Sequence, residues 1–101
     1  DSAVEKLDLD NVRERVYDIS DKKMLILKHI LLARHPKGRR PSELVERLDR
    51  DKSTISYHLQ NLVEDRILQK EKQGRSAFYR VNDSVKPVLQ RRIEKEGEFY
   101  A

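Results

Sequence analysis

At 101 residues, with 40% charged and 37% hydrophobic residues, the chain is long enough for one domain with a modest core. It has no cysteine, which excludes a disulfide framework and a thiolate metal site. No apolar run approaches the roughly 20 residues of a membrane span, so we expect a soluble cytoplasmic protein without a signal peptide.

The net charge of +4 favours a polyanionic partner, and the positive charge is unevenly distributed. Residues 1–21 carry three Lys or Arg against seven Asp or Glu, a sum of −4. Residues 34–40 sum to +4, and residues 52–80 carry six basic against three acidic side chains, a sum of +3. The middle of the chain is therefore the expected binding region.

Two helices are predicted at the start of the chain. The first lies within 9–19, because Leu9, Val12, Val16 and Ile19 recur at threes and fours. Ser20 is a suitable N-cap for the second, 21–34, which is apolar nearly all round and so needs cover on more than one side.

The faces of this second helix have different expected neighbours. We expect Leu27, Ile30 and Leu31 to face the helix that follows Asp51. Leu25 and Leu32 need a second cover, which the terminal helices or a partner subunit could supply.

A basic turn follows, in which Pro36 and Gly38 end the helix. A helix is predicted from Pro41, a favoured first helical residue, to about Leu48. Asp49 lies in the turn after it, where aspartate tolerates left-handed backbone better than most residues.

The next helix has an unusual polar face. Asp51 is a good N-cap, and Ile55, Leu59, Leu62 and Val63 recur as an apolar stripe. Short hydroxyls and amides opposite that stripe suit contact with base edges and phosphates, although a capped, Ser/Thr-rich helix start explains them equally well. The polar face comprises Lys52, Ser53, Thr54, Ser56, Tyr57, Gln60 and Asn61.

A β-hairpin is predicted over 67–81, because two strand-like runs are joined through a Gly-containing turn at 73–76. Tyr79 and Val81 are the expected inward pair. The polar residues toward the tip are either nucleic-acid contacts or a solvated surface: Lys70, Lys72, Gln73, Arg75 and Ser76.

A last helix is predicted over 83–97, capped by Asn82 or Asp83, with Pro87 tolerated in its first turn. Its one apolar stripe either packs back onto the domain or meets a second copy. The stripe comprises Val85, Val88, Leu89 and Ile93.

The run S-T-I-S-Y-H-L-Q-N-L-V-E-D-R-I-L, preceded by P-S-E-L-V-E-R-L and followed by G-R-S-A-F-Y-R-V, resembles the winged helix-turn-helix of ArsR-type regulators, and more distantly of MarR-type regulators. The similarity covers roughly Ser20–Val81. It implies a mainly α fold with a small β-hairpin wing and extra N- and C-terminal helices. We expect one winged-helix domain over 1–101, with its core at 20–81 and a short strand near Arg39 and Arg40.

The resemblance also implies a function: sequence-specific binding of double-stranded DNA by a homodimeric transcription regulator, expected to be a repressor at a palindromic operator. The recognition helix would read the major groove, the wing would lie at the minor groove, and Arg39 and Arg40 would contact the DNA backbone. The first and last helices would form the dimer interface through Leu9, Val12, Val16, Val85, Val88, Leu89 and Ile93.

Other functions have less support. Asp51, Ser53 and His58 supply the residue types of a hydrolytic triad, but positions five apart on one helix do not face each other, so we expect no enzyme. Three scattered histidines without cysteine predict no metal site and no cofactor. Two alternatives stay open: a protein–protein module of a larger protein, since the chain does not begin with Met, and a non-specific architectural nucleic-acid binder.

Overall fold

The structure, a computed structural model, describes residues 11–33, 35 and 37–100, with side chains described as far as Gly97. Within this part the predicted fold class, mainly α with a β-hairpin, is confirmed. No helix there is long and apolar enough to cross a membrane. The elements are α1 (11–17), α2 (Asp21–Leu31), α3 (Pro41–Leu48), α4 (Lys52–Glu64), β1 (Leu68–Gln73), β2 (Ser76–Val81) and α5 (Lys86–Tyr100).

The second helix begins as predicted and ends early. The Ser20 side chain accepts a hydrogen bond from the Lys23 amide at 3.4 Å, as an N-cap does. The helix ends at Leu31 and not at residue 34, with Leu32 as its C-cap. The Leu32 amide donates to the Lys28 carbonyl and the Ala33 amide donates to the Ile30 carbonyl, each at 3.1 Å. Gly38 has a φ of 92°, and a Cβ there would lie 1.9 Å from the carbonyl oxygen of Tyr79, so only glycine fits this turn.

The predicted strand near Arg39 is a single bridge to the hairpin. The Arg39 amide donates to the Tyr79 carbonyl at 2.9 Å, and the Tyr79 amide donates to the Arg39 carbonyl at 2.8 Å. After α3, Asp49 adopts the left-handed conformation expected of it, with φ 51° and ψ 47°. The bridge at Arg39 thus fixes the backbone before α3, and the left-handed Asp49 reverses the chain direction after it.

The hairpin pairs β1 with β2 in an antiparallel register from Leu68 opposite Val81 to Gln73 opposite Ser76. Two residues therefore form the turn, and Gly74 takes a φ of 63° at the first of them, the pattern of a type II′ turn. Tyr79 and Val81 are buried as predicted, whereas β1 is exposed after Leu68.

The core is built from every helix and from the base of the hairpin. Val16 of α1 is 0% exposed, and Val85 and Leu89, near the start of the last helix, are 1% and 0% exposed. The prediction that these three residues line a dimer interface needs correction, because one protomer already buries them. Three others of that set, Val12, Val88 and Ile93, are partly buried against the core, and Leu9 lies outside the described residues.

The last helix starts later than predicted. The Asn82 carbonyl accepts from the amides of Val85 and Lys86 at 2.9 and 3.0 Å, which makes 83–85 a turn and places the helix at Lys86–Tyr100. Pro87 falls in the first turn, where no amide is needed.

The two faces of α2 differ in how far they are buried. Leu27 and Ile30 are buried and Leu31 is partly buried, as expected for the inward face. Leu25 is 40% and Leu32 is 68% exposed, so the second cover that their apolar character predicts does not come from the described part of the protomer.

Candidate nucleic-acid interface

The candidate recognition helix, α4, is fixed by its apolar side. Ile55, Leu59 and Leu62 are each at most 1% exposed, and the helix packs against α3 and β1. Burial of three such side chains is worth about 1.5–3 kcal/mol each relative to exposure. The apolar stripe therefore sets which face of the helix points outward.

The start of α4 is capped by Asp51. Its carboxylate accepts hydrogen bonds from the Ser53 hydroxyl, from the Thr54 hydroxyl at 2.6 Å and from the Thr54 amide at 3.2 Å. These bonds, the Ser53 hydroxyl first and then Thr54, lower the pKa of Asp51 to about 2. The carboxylate is therefore ionised at neutral pH.

This cap changes what Ser53 and Thr54 can offer a phosphate. A hydroxyl has one proton, and in both residues that proton is donated to Asp51. Phosphate oxygens are acceptors, so either hydroxyl must leave the cap before it can donate to DNA. The predicted phosphate contact from Lys52, which is exposed beside them, carries no such cost.

The rest of the predicted reading face is largely open to solvent. Ser56, Tyr57 and Gln60 are exposed, and Asn61 is half-buried. Tyr57 is 64% exposed, which is unusual for a large aromatic side chain. The Gln60 amide reaches Glu64 only at 3.4 Å, a long hydrogen bond that leaves its donors and acceptor available.

The end of α4 is anchored in a way that the sequence analysis missed. Arg66 has a φ of 61°, its amide donates to the Val63 carbonyl at 3.0 Å, and the Ile67 amide donates to the Leu62 carbonyl at 2.9 Å. This is a Schellman motif with arginine where glycine is usual. The apolar Ile67 directly after the left-handed residue is the signal that could have found it.

Two other elements hold the same end of α4. The Asn82 side-chain amide donates to the Arg66 carbonyl at 2.9 Å, and the Asn82 backbone amide donates to the Ile67 carbonyl at 3.0 Å. Arg15 of α1 donates to the Asp65 carbonyl at 3.0 Å, where a cation also suits the helix dipole. The candidate recognition helix is thus tied to the base of the hairpin and to the first helix.

The wing residues predicted to contact DNA do not form one surface. Alternation along the paired strands places Lys70 and Lys72 on one face, and Gln73 and Ser76 on the other. All except the half-buried Ser76 are exposed, as is Arg75 in the turn. Lys70 and Lys72 on one face of the hairpin, with Arg75 at its tip, are therefore the cations that remain together.

The backbone contact predicted for Arg39 conflicts with its position. Its side chain is 11% exposed, donates from Nε to the His29 carbonyl at 2.7 Å and pairs with Glu43 at 3.7 Å. Arg39 is therefore a structural link between α2 and α3. Arg40 is 47% exposed and pairs with Glu43 at 3.2 Å, which leaves part of its surface free for DNA.

His58 packs behind the reading face. Its Nδ1 is buried and has no hydrogen-bond partner. Burial, and then the positive charges of Lys23, Lys22 and Arg50, lower the pKa of His58, so the ring is neutral at neutral pH. Ser53 bonds to Asp51 and not to His58, which is the geometry of a helix cap.

The comparisons with known proteins agree with this architecture. Residues 24–71, from α2 into the hairpin, match the family model described as a helix-turn-helix domain. The chain is a winged helix-turn-helix domain. No curated protein matches it in sequence.

Solved structures similar to this winged helix include transcription regulators. MepR, a transcription regulator of the Staphylococcus aureus multidrug efflux pump MepA, has a TM-score of 0.75 at 14% identity, covering 98% of this chain and 78% of its own. A homodimeric winged helix-turn-helix DNA-binding domain from Mycobacterium bovis, a possible ArsR-family regulator, has a TM-score of 0.67 at 18% identity, with coverages of 95% and 86%.

The adhesin competence repressor AdcR from Streptococcus pyogenes has a TM-score of 0.69 at 15% identity, with 82% of this chain covered. The present chain spans only 60% of the length of AdcR. At these identities the similarity shows the fold, and the predicted winged helix-turn-helix fold is confirmed.

Proposed function

We propose that the protein is a homodimeric transcription regulator that binds double-stranded DNA in a sequence-specific manner and acts as a repressor. One observation carries this proposal. The first turns of α4 expose uncharged hydrogen-bonding side chains and Lys52 beside a wing whose exposed cations are Lys70, Lys72 and Arg75. The role is binding and not catalysis.

The similar structures support the class of ligand. A variant of MepR has been solved bound to an oligodeoxyribonucleotide, with a TM-score of 0.70 to this chain. The Mycobacterium bovis domain is described as homodimeric and DNA-binding. Both descriptions belong to those proteins, and here they motivate the choice of DNA and of a dimer.

Each part of the surface has a proposed role. Lys52 contacts a phosphate, and Ser56, Tyr57 and Gln60 contact base edges in the major groove. Gln60 can bind adenine with two hydrogen bonds, and the Tyr57 ring can contact a thymine methyl group. Arg75 borders a minor groove, where a narrow groove has the most negative potential.

A two-fold dimer places a second copy of α4 about one helical turn of DNA away, roughly 34 Å, and the operator is then palindromic. The partly buried Val12, Val88 and Ile93 remain the candidates for contact between copies. Repression is steric: a dimer on promoter DNA excludes the polymerase.

The test is a set of binding titrations on single-base variants of a selected operator at two salt concentrations. Gln60→Ala should cost about 1–3 kcal/mol at the base pair that it contacts and little elsewhere. Lys52→Ala should weaken specific and non-specific binding alike and make the salt slope shallower by about one unit. Gln69→Ala in β1 and Lys86→Ala in α5 are the matched controls, since both residues are exposed and lie outside the proposed surface.

The same titrations separate the alternatives. An architectural binder would show the salt dependence without preference for one palindrome, and a protein–protein module would bind DNA weakly at every salt concentration. An unchanged specificity profile in Gln60→Ala would refute the assignment of the reading face.

A further inference from the structure

A groove lies between the first and last helices, on the face proposed to meet a second copy. Its volume is about 420 Å³. Its apolar part includes Tyr17, which is 49% exposed, and Val88, which is partly buried. Three exposed cations complete the lining. The lining residues are Arg13, Tyr17, Pro87, Val88, Arg91 and Lys95.

The cations of this groove have no counter-charge among the described residues. None of Arg13, Arg91 and Lys95 forms an ion pair with a described Asp or Glu, and no described carboxylate lines the groove. Arg91 and Lys95 lie four residues apart on α5, so they share one face of the helix, where like charges repel. The groove therefore favours an acidic occupant.

The proposed dimer increases this need for negative charge. A two-fold interface brings the same surface of each copy together, so a contact through Val88 also brings the cations of both grooves toward each other. Like charges that face each other across an interface weaken association. A segment that belongs to this interface must therefore supply carboxylates.

The segment that precedes α1 has the matching chemistry. Residues 1–10, which lie outside the described residues, carry four carboxylates against one lysine, a sum of −3. In the run V-E-K-L-D-L-D at 4–10, Val4, Leu7 and Leu9 are each followed directly by a carboxylate. Apolar and acidic groups thus come in adjacent pairs, as an apolar groove with cations beside it requires.

We infer that residues 1–10 of each copy occupy the groove of the other copy, where their carboxylates pair with Arg91 and Lys95. The inference rests on the proposed dimer and names the segment that completes its interface. The segment joins α1 at Asn11, two residues before Arg13 of the groove, so it would have to reverse direction at once to fill the groove of its own protomer. Exchange between copies needs no such reversal, and two-fold symmetry makes it reciprocal.

Zero-length cross-linking tests which segment fills the groove. A carbodiimide joins a carboxylate to a lysine amine that touches it, and Lys95 is the lysine of the groove. Unlabelled copies and copies labelled with heavy nitrogen are refolded together from urea, cross-linked and digested for mass spectrometry. Cross-links from Lys95 to Glu5 or Asp8 should join labelled to unlabelled peptides as often as random pairing of copies allows. Lys86 is the internal control, since it is exposed on α5 outside the groove.

Each other result of this experiment overturns a definite part of the inference. Cross-links that never join labelled to unlabelled peptides would place residues 1–10 in their own groove and overturn the exchange. Absence of cross-links between Lys95 and residues 1–10, or an equal yield from Lys86, would overturn the choice of occupant.

Charge reversal followed by sedimentation tests the ion pairs. Lys95→Glu should raise the dissociation constant of the dimer about twofold to thirtyfold, because a two-fold dimer loses two exposed ion pairs. Adding Glu5→Lys and Asp8→Lys to the same chain should recover most of that loss. Lys86→Glu makes the same change in net charge and should leave the dissociation constant nearly unchanged. A loss that the reversed segment does not recover would overturn the pairing.

The same measurements keep this inference apart from the proposed function. A wild-type protein that sediments as a monomer at every concentration would refute the proposed dimer itself. A dimer in which Lys95→Glu weakens only DNA binding would assign the groove to nucleic acid, which overturns the inference and leaves the proposed function standing.

Discussion

Arg92 is a buried arginine that joins the last helix to the first, and its removal gives a sharp prediction. Its side chain is 10% exposed, Nε donates to Glu96 at 3.1 Å, and Nη1 donates to the Val16 carbonyl. Glu96 in turn lies 3.7 Å from Lys28 of α2. The guanidinium thus links three helices with few solvent contacts.

The magnitude follows from what each substitution removes. In Arg92→Met the aliphatic stem stays, but the charged hydrogen bond to the Val16 carbonyl, worth about 1.5–3 kcal/mol, is lost. Recovery of the desolvation penalty of the guanidinium offsets part of this loss, so we expect a net cost of about 1–2 kcal/mol. Arg92→Ala should cost about 1 kcal/mol more, because the stem that packs on apolar surface is lost as well.

The assay is urea unfolding followed by circular dichroism at one fixed protein concentration, since the proposed dimerisation would make stability depend on concentration. In thermal unfolding of the same variants, a loss of 2 kcal/mol should lower the melting temperature of a domain of this size by about 10 °C. Glu96→Gln is the control, and it should cost about 1 kcal/mol or less because Glu96 is partly exposed. Stability of Arg92→Met within about 0.5 kcal/mol of the wild type would refute the reasoning, since surface substitutions already reach that size.

Three further predictions concern the wing, the histidine and the dimer. Arg75→Ala should make the salt slope of DNA binding shallower by about one unit on every sequence, and an unchanged slope would place the wing away from DNA. The lowered pKa of His58 means that the folded state resists protonation of this ring. The stability contributed by the neutral ring is therefore present above pH 6.5 and is lost as the pH falls below that value. His58→Gln should therefore lose less stability than the wild type between pH 7 and pH 5, and a larger loss would contradict the shift. Val88→Glu should give monomers in sedimentation, whereas Gln90→Glu should not; a dimeric Val88→Glu protein would move the interface elsewhere.

Local chemistry in the sequence predicted most of the elements. The N-cap at Asp51, the left-handed Asp49 and the hairpin turn at Gly74 each depend on a few adjacent residues. Such features are decided by hydrogen bonds and backbone sterics within one turn, so a single sequence carries them. The same holds for the apolar stripe that orients α4.

Features that depend on distant neighbours were predicted less well. An apolar stripe specifies a buried face and not the surface that buries it, so Val85 and Leu89 were assigned to a partner although their own domain covers them. Arg39 was assigned to the DNA backbone and Arg92 was not singled out, yet each donates to a backbone carbonyl inside the fold. Long side chains can bury a stem and still satisfy a charge, which sequence patterns alone do not reveal.

The anchors of α4 indicate how the terminal helices could set the spacing of two recognition helices. Arg15 ties α1 to the end of α4, and Arg92 ties α1 to α5, so the first helix is bonded on both sides. In the proposed dimer, contacts made by α1 and α5 would therefore fix the direction of α4 through hydrogen bonds and not through packing alone. A rotation of the terminal helices that kept these bonds would carry α4 with it and change the distance between half-sites. A rotation that broke the Arg15 contact would leave α4 in place, because Asp51 caps its start and Asn82 holds the same end that Arg15 contacts.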